Sequence, residues 1–260
     1  MLAERKIPII IGQMPQLGAT APMSFAGAAV VSTAENLAGL VLAQLVRPGA
    51  PYVLGIFVCP LDMVTARVTY GSPEFAMGNI VDVAMGEYYG LPTFGWGGCS
   101  DSKVPDAQAG AEVMMNSLMA ALSGVNLIHD YGYLAGGSIG SLELAVISDE
   151  VAGMVSRIVK GFRVDDEELA LDVIEEVGPG GHFLAHKHTL SRMGELFRHE
   201  LFSKEAEEKW IGAGKKEIRE KAKEKLEKIF KEHPVPIDKE LVKRFEEIVK
   251  EAEREILGKA

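Results

Sequence analysis

Four short apolar runs alternate with longer helical patterns over the first 160 residues, and this alternation constrains the fold more than any other feature of the chain. The runs are IPIIIG (7–12), YVLGIFV (52–58), the weaker PTFGWGG (92–98) and VNLIHD (125–130). The pattern at 33–47 predicts a helix capped by Thr33, with Leu37, Leu40, Val41 and Gln44 near one face and the Pro48-Gly49 pair as its stop. Residues 72–90 begin with Ser72 as N-cap and Pro73 at the first helical position, and end at Gly90. Residues 104–124 again run from a proline to a glycine. In 141–161 the early Glu143 and the late Arg157 and Lys160 complement the helix dipole. Strands alternating with such helices imply parallel βαβ units. A complete eight-stranded barrel takes about 250 residues, whereas four strands here use about 160. On this ground the α/β fold is either an open four-stranded sheet or half of a barrel.

The chain changes character after residue 203. Residues 204–260 hold 16 Lys and Arg against 15 Asp and Glu, which leaves a charge of −11 on residues 1–203. Ala206, Trp210, Ile218, Ala222, Leu226 and Ile229 form a helical stripe, EHPVPID (232–238) breaks it, and a second amphipathic helix follows at 238–256. The expected organisation is a β/α body over 1–203 and a charged helical hairpin over 204–260, packed on the body or on a second subunit. A net charge of −10 argues against nucleic acid as the main partner, because phosphate binding needs a basic face. No strictly apolar run reaches the ~18 residues of a membrane span, and MLAERKIPIII lacks the features of a leader peptide. The expectation is therefore a cytoplasmic protein with no membrane partner. Cys59 and Cys99 lack ligand spacing and read as free buried thiols.

Parallel α/β folds place their chemistry at the carboxyl ends of the strands. Four loops qualify: residues 12–27, CPLD (59–62), GWGGCSDSK (95–103) and HDYGYLAGG (129–137). His129 stands where an apolar run meets polar residues and is the candidate catalytic group. Side chains alternate along a strand, so His129 and Asp130 are expected to point apart. The aromatics Phe94, Trp96, Tyr131 and Tyr133, together with Asp130, are candidate substrate-binding residues. Aromatic faces attract quaternary ammonium groups, and an acidic body favours a cation. Gly132, Gly136 and Gly137 leave room for a large ligand. His182 and His186 share helical i, i+4 spacing in GGHFLAHKH (180–188), but no acidic residue lies at ligand spacing, so no metal site is expected.

Several long stretches together resemble the trimethylamine methyltransferase family of methylamine and betaine:corrinoid methyltransferases. They are GQMPQLGATAPMSFAGAAVVSTAENLAGLVLAQLVRPGAP, YGSPE, DAQAGAE, NLIHDYGYLAGGSIGSLELAVISDEVAGMVSRIVKG and the C-terminal HPVPIDKELVKRFEEIVKEAE. The resemblance implies a TIM-type (β/α)8 barrel, of which this chain covers the C-terminal half plus a helical extension. It also implies methyl transfer from a methylated amine to the cobalt of cobalamin, a corrinoid carried by a cognate partner protein. Family members are longer, which implies a homo-oligomer or association with a missing N-terminal half. The trimethylamine branch carries pyrrolysine near GGCSDSK, a loop that holds only standard residues here. That points to the branch acting on quaternary amines such as glycine betaine. The competing expectation is a non-catalytic half-barrel that binds a quaternary amine or docks to a corrinoid protein.

Overall fold

A computed structural model describes residues 1–234 and 238–258. It divides into two compact units, Met1–Lys223 and Glu224–Ala260, with the division inside the helix Ile218–Glu232. The first unit opens with β1 (Ile9–Ile10), β2 (Gln16–Leu17), α1 (Phe25–Val46), β3 (Tyr52–Val53), β4 (Cys59–Asp62), β5 (Arg67–Val68) and α2 (Pro73–Tyr89). It continues with β6 (Phe94–Trp96), α3 (Ala107–Ser123), β7 (Leu127–His129), β8 (Tyr133–Leu134), β9 (Ile139–Gly140) and α4 (Leu142–Lys160).

The four expected strands lie side by side in chain order, all parallel. Ile9 pairs with Tyr52, a bridge joins Leu54 to Thr93, and Phe94, Gly95 and Trp96 pair with Leu127, Ile128 and His129. No sheet closes on itself among the described residues. Two antiparallel hairpins, β4–β5 and β8–β9, rise beyond the strand ends.

The ladders are short because helix side chains take over the strand backbone. Asn36 of α1 donates Nδ2–H to the carbonyls of Ile11 and Gly55 at 3.0 and 3.1 Å. Asp82 of α2 accepts the Ile56 N–H at 2.7 Å. Asn79 of α2 accepts the Trp96 N–H at 3.0 Å and donates to the Trp96 carbonyl at 3.1 Å. Ser117 of α3 donates to the Gly97 carbonyl at 2.7 Å. All four side chains are buried, so each bond satisfies a backbone group that water cannot reach.

Three helix starts follow the usual capping rules. The side chains of Ser72, Asp106 and Ser141 each accept an N–H from the first turn, and Gly90 and Gly124 close their helices in left-handed conformations. The first helix differs from expectation. It starts at Phe25 after Ser24, and Thr33 lies inside it, donating to the Ala29 carbonyl at 2.7 Å. Its buried face is Ala28, Ser32, Asn36, Gly39 and Ala43, while Val41 is exposed. Small residues let the helix approach the strands closely: a Cβ on Gly39 would strike Ile11 Cδ1. At 22 residues, with a window of mean hydropathy 1.5, α1 is long and apolar enough to cross a membrane by length and composition alone. Its Ser32 and Asn36 are nevertheless bonded into the sheet region.

Past α4 the chain runs through short helices α5 (Asp166–Leu169), α6 (Leu171–Val177) and α7 (Lys187–Arg192), then α8 (Glu207–Gly212) and α9 (Ile218–Glu232). The continuous stripe expected from Ala206 to Ile229 is interrupted, because residues 213–217 are not helical and Lys215 takes a left-handed φ of 56°. The second unit contains α10 (Lys239–Leu257), capped by Asp238. Residues 235–237, in the expected break between helices, fall outside the described residues.

Candidate functional site

The register of β6 on β7 sets the site. Trp96 lies opposite His129, so both project from one face of the parallel strands, with Phe94 two residues before Trp96 on the same face. The opposite face meets the helices: a Cβ on Gly95 would strike Asn79 Oδ1, and one on Gly97 would strike Ile128 Cγ2 near Ser117. Glycine at 95 and 97 is what lets α2 and α3 reach the backbone here.

His129 therefore stands away from the helices, among aromatic rings. Its imidazole stacks on Phe94 with centroids 3.7 Å apart and planes 4° apart, and lies 4.6 Å from Trp96 and 6.1 Å from Phe57. Trp96 also meets Phe57, Phe75 and Tyr70 at 4.6, 5.1 and 5.5 Å and is only 8% exposed. The expectation that His129 and Asp130 point apart is corrected: His129 Nδ1 lies 2.8 Å from Asp130 Oδ1. The strand ends at His129, and Asp130 turns at φ +69°, which swings its carboxylate back beside the preceding ring. His129 Nε2 and Trp96 Nε1 are both buried without a hydrogen-bond partner.

Tyr70 joins this group to an open cleft of about 640 Å³, also lined by Met14, Asp62, Arg67, Asp101, Lys103 and Gly136. The cleft wall is braced from behind. Asp101 accepts the Tyr70 and Gly71 N–H groups at 3.0 and 2.9 Å. Glu112 of α3 accepts the Ser100 hydroxyl at 2.6 Å and the Asp101 N–H at 2.8 Å. Burial pushes the Tyr70 hydroxyl and the Cys59 thiol up to about 12, and holds the Cys99 thiol well above its usual range. Both cysteines are free and buried, and they stay protonated at neutral pH.

The other sequence candidates scatter. Tyr131 packs on the helix-facing side, its hydroxyl 3.2 Å from where a Gly97 Cβ would sit. Tyr133 is half-exposed on β8. Gly136 lines the cleft at φ +64°, where a Cβ would lie 3.4 Å from the Tyr70 ring, and Gly137 at φ +81° faces open space. Gly132 is turned to the start of α4, where a Cβ would lie 2.9 Å from the Ser141 carbonyl oxygen. The three histidines at 182–188 do not share a helix: His186 is the N-cap of α7, with Nε2 3.4 Å from Glu176. Among the described residues no group of three or more His, Cys, Asp or Glu could hold a metal. Sequence reading missed Tyr70, Phe57 and Asp101. Tyr70 has a signal in retrospect, standing directly before the Gly-Ser-Pro start of α2.

Comparison with known proteins fits this geometry into a group. The chain is 37% identical over 253 residues to a trimethylamine methyltransferase (MttB) of Methanosarcina barkeri, an alignment covering 97% of this chain and 51% of that protein. It is 35% identical over 257 residues to a glycine betaine methyltransferase of Desulfitobacterium hafniense, covering 98% of this chain and 53% of that protein. The chain thus spans about half the length of the curated relatives it matches. The family model described as trimethylamine methyltransferase (MTTB) matches residues 1–256, and the chain belongs to that family.

Proposed function

We propose that this chain is half of a (β/α)8 barrel that transfers a methyl group from a quaternary amine of the glycine betaine type to cobalt(I) of a corrinoid carried by a partner protein. The observation that carries the reading is the His129–Asp130 pair set among Phe94, Trp96 and Phe57 at the carboxyl ends of two adjacent parallel strands. Four parallel strands in chain order support the half-barrel. Identities to the trimethylamine and glycine betaine enzymes are alike, at 37% and 35%, so the substrate choice rests on chemistry. A quaternary ammonium leaves as a neutral tertiary amine, whereas a free tertiary amine would leave as an amide anion and needs activation first. The aromatic rings suit a trimethylammonium head. The work of the site is positioning and electrostatics.

The residues present fit a corrinoid in part. Gly136 and Gly137 sit at or beside the cleft, and a Cβ on Gly137 would meet nothing within 4 Å, so a flat ring can approach there. Gly132 is spent on packing against α4 and does not belong to that surface. The corrinoid supplies the cobalt(I) nucleophile that accepts the methyl group. His129 needs to move no proton for a quaternary substrate; it orients the substrate, reaching a betaine carboxylate through water. The protein acts in the cytoplasm.

The test is methylation of cob(I)alamin with a panel of betaines and trimethylamine. It is run on this chain alone and on this chain supplemented with the portion its relatives carry beyond the matched region. Betaine-dependent methylcobalamin in the supplemented sample, lost by at least about 100-fold in His129→Ala, is the expected result for a positioning group. Betaine binding without turnover in both samples would establish a binding module instead.

A further inference from the structure

His129 has one ring nitrogen engaged and the other waiting. Nδ1 is held 2.8 Å from Asp130 Oδ1, while Nε2 is buried and has no partner. Trp96, opposite His129 on the neighbouring strand and 92% buried, has its indole Nε1 in the same condition. The two ring centroids are 4.6 Å apart. Buried polar atoms are nearly always paired, so two unpaired nitrogens on adjacent rings mark a place for a polar ligand. The geometry is held by features that packing alone does not require. The imidazole is pinned flat against Phe94, and Asp130 takes a left-handed φ of +69°, a conformation that costs an L residue energy.

An ionised carboxylate can only accept a hydrogen bond. Against Asp130, then, Nδ1 is the nitrogen that carries the hydrogen, and which nitrogen of a histidine is protonated is set by the bond the other one makes. We propose that Asp130 is a positioning residue that fixes this tautomer, so that His129 presents Nε2 as a bare acceptor on a ring adjoining that of Trp96, whose N–H is likewise unpaired. A neighbouring acceptor and donor are together complementary to a group that can both give and take a hydrogen bond: a hydroxyl or a bound water. A trimethylammonium head has no hydrogen to give, and its place is against ring faces. A bare carboxylate would meet the Nε2 lone pair unfavourably and reaches His129 through the water. The inference deepens the proposed function and rests on His129 meeting the substrate, but the tautomer can be measured without turnover.

The experiment is long-range 1H–15N correlation of the chain labelled with 15N-histidine, at neutral pH, with the His129 signals identified by their loss in His129→Gln. The expected spectrum shows a protonated Nδ1 and an unprotonated Nε2. In Asp130→Ala, with the fold checked by near-UV circular dichroism, the hydrogen should shift toward Nε2, the form favoured by free imidazole, and Asp130→Glu should restore the original tautomer. A wild-type His129 carrying hydrogen on Nε2 overturns the proposal, as does a tautomer unchanged in Asp130→Ala. Should Asp130→Ala fail to fold, the wild-type spectrum decides alone. If the tautomer is as expected but His129→Ala keeps full methyl transfer, the catalytic reading falls and the positioning of the ring stands.

Discussion

Asp82 shows how far one buried side chain can shape the stability of this protein. It is 1% exposed; Oδ1 accepts the Ile56 N–H and Oδ2 has no partner. Burial pushes its carboxyl from 3.8 up to about 7, against the opposing pull of the backbone N–H groups. The native state therefore binds a proton that the unfolded state has released, and stability must fall as pH rises from about 4 to about 7. The effect is on the order of a few kcal/mol, since each pKa unit is worth about 1.4 kcal/mol. Asp82→Asn should flatten the Tm-versus-pH curve in that window, and a curve of unchanged slope would refute the assignment. Trp96 needs a gentler substitution. Its ring meets Phe57, Phe75, Tyr70 and His129, so Trp96→Ala would cost about 3–5 kcal/mol of core packing and confuse any binding result. Trp96→Phe keeps an aromatic face and removes Nε1–H; calorimetry should show betaine affinity weakened by about 1 kcal/mol, the worth of one hydrogen bond. His129 and Asp130 mark what a sequence can disclose. His129 was legible because a polar group ended an apolar run. Its pairing with Asp130 was not, because alternation presumes an extended backbone and the chain leaves the strand at φ +69°.

At the scale of elements, the helices repeat one device: a buried amide or carboxylate on the inner face holds the end of a strand. Asn79 is the most complete case, both accepting from and donating to the Trp96 backbone. Asn79→Ala would leave two buried backbone groups unpaired beside the candidate site. At about 1–3 kcal/mol for each orphaned group, urea unfolding should register a loss of about 2–6 kcal/mol. A loss under about 1 kcal/mol would mean that water reaches these groups. Strand and helix order was legible from periodicity, the start of α2 from Ser72 as N-cap, and the stops of α2 and α3 from Gly90 and Gly124. The start of α1 was hidden for a physical reason. Its inner face is Ala28, Ser32, Asn36, Gly39 and Ala43, chosen for close approach and hydrogen bonding, so apolar periodicity reports the wrong side of the helix. The interruption at 213–217 was equally hidden, since Ala206, Trp210 and Ile218 keep helical spacing across a non-helical gap.

At the scale of the whole molecule, the first unit ends in unfinished surfaces. Strands β1 and β7 each pair on one side only in the sheets described, and Leu127 on β7 is 49% exposed. The outer face of α1 shows Val41, Leu42, Leu45 and Val46 to solvent, each more than half exposed. Single exposed apolar residues are ordinary, but a contiguous row on one helix face, in a unit that also leaves strand edges unpaired, is the pattern of an association surface. The chain should therefore associate as its concentration rises, either with copies of itself or with another polypeptide supplied to it. Leu42 and Leu45 lie three residues apart on that row and touch none of the groups placed in the candidate site. The double substitution Leu42→Glu, Leu45→Glu should leave the circular dichroism spectrum intact. It should raise the dissociation constant from sedimentation equilibrium by at least tenfold, because burying one leucine is worth about 1.5–3 kcal/mol and about 1.4 kcal/mol is a factor of ten. A wild-type chain that stays monomeric at every concentration, alone and with the remaining portion of a relative, would show that these edges are finished as they stand and that the half-barrel reading is wrong.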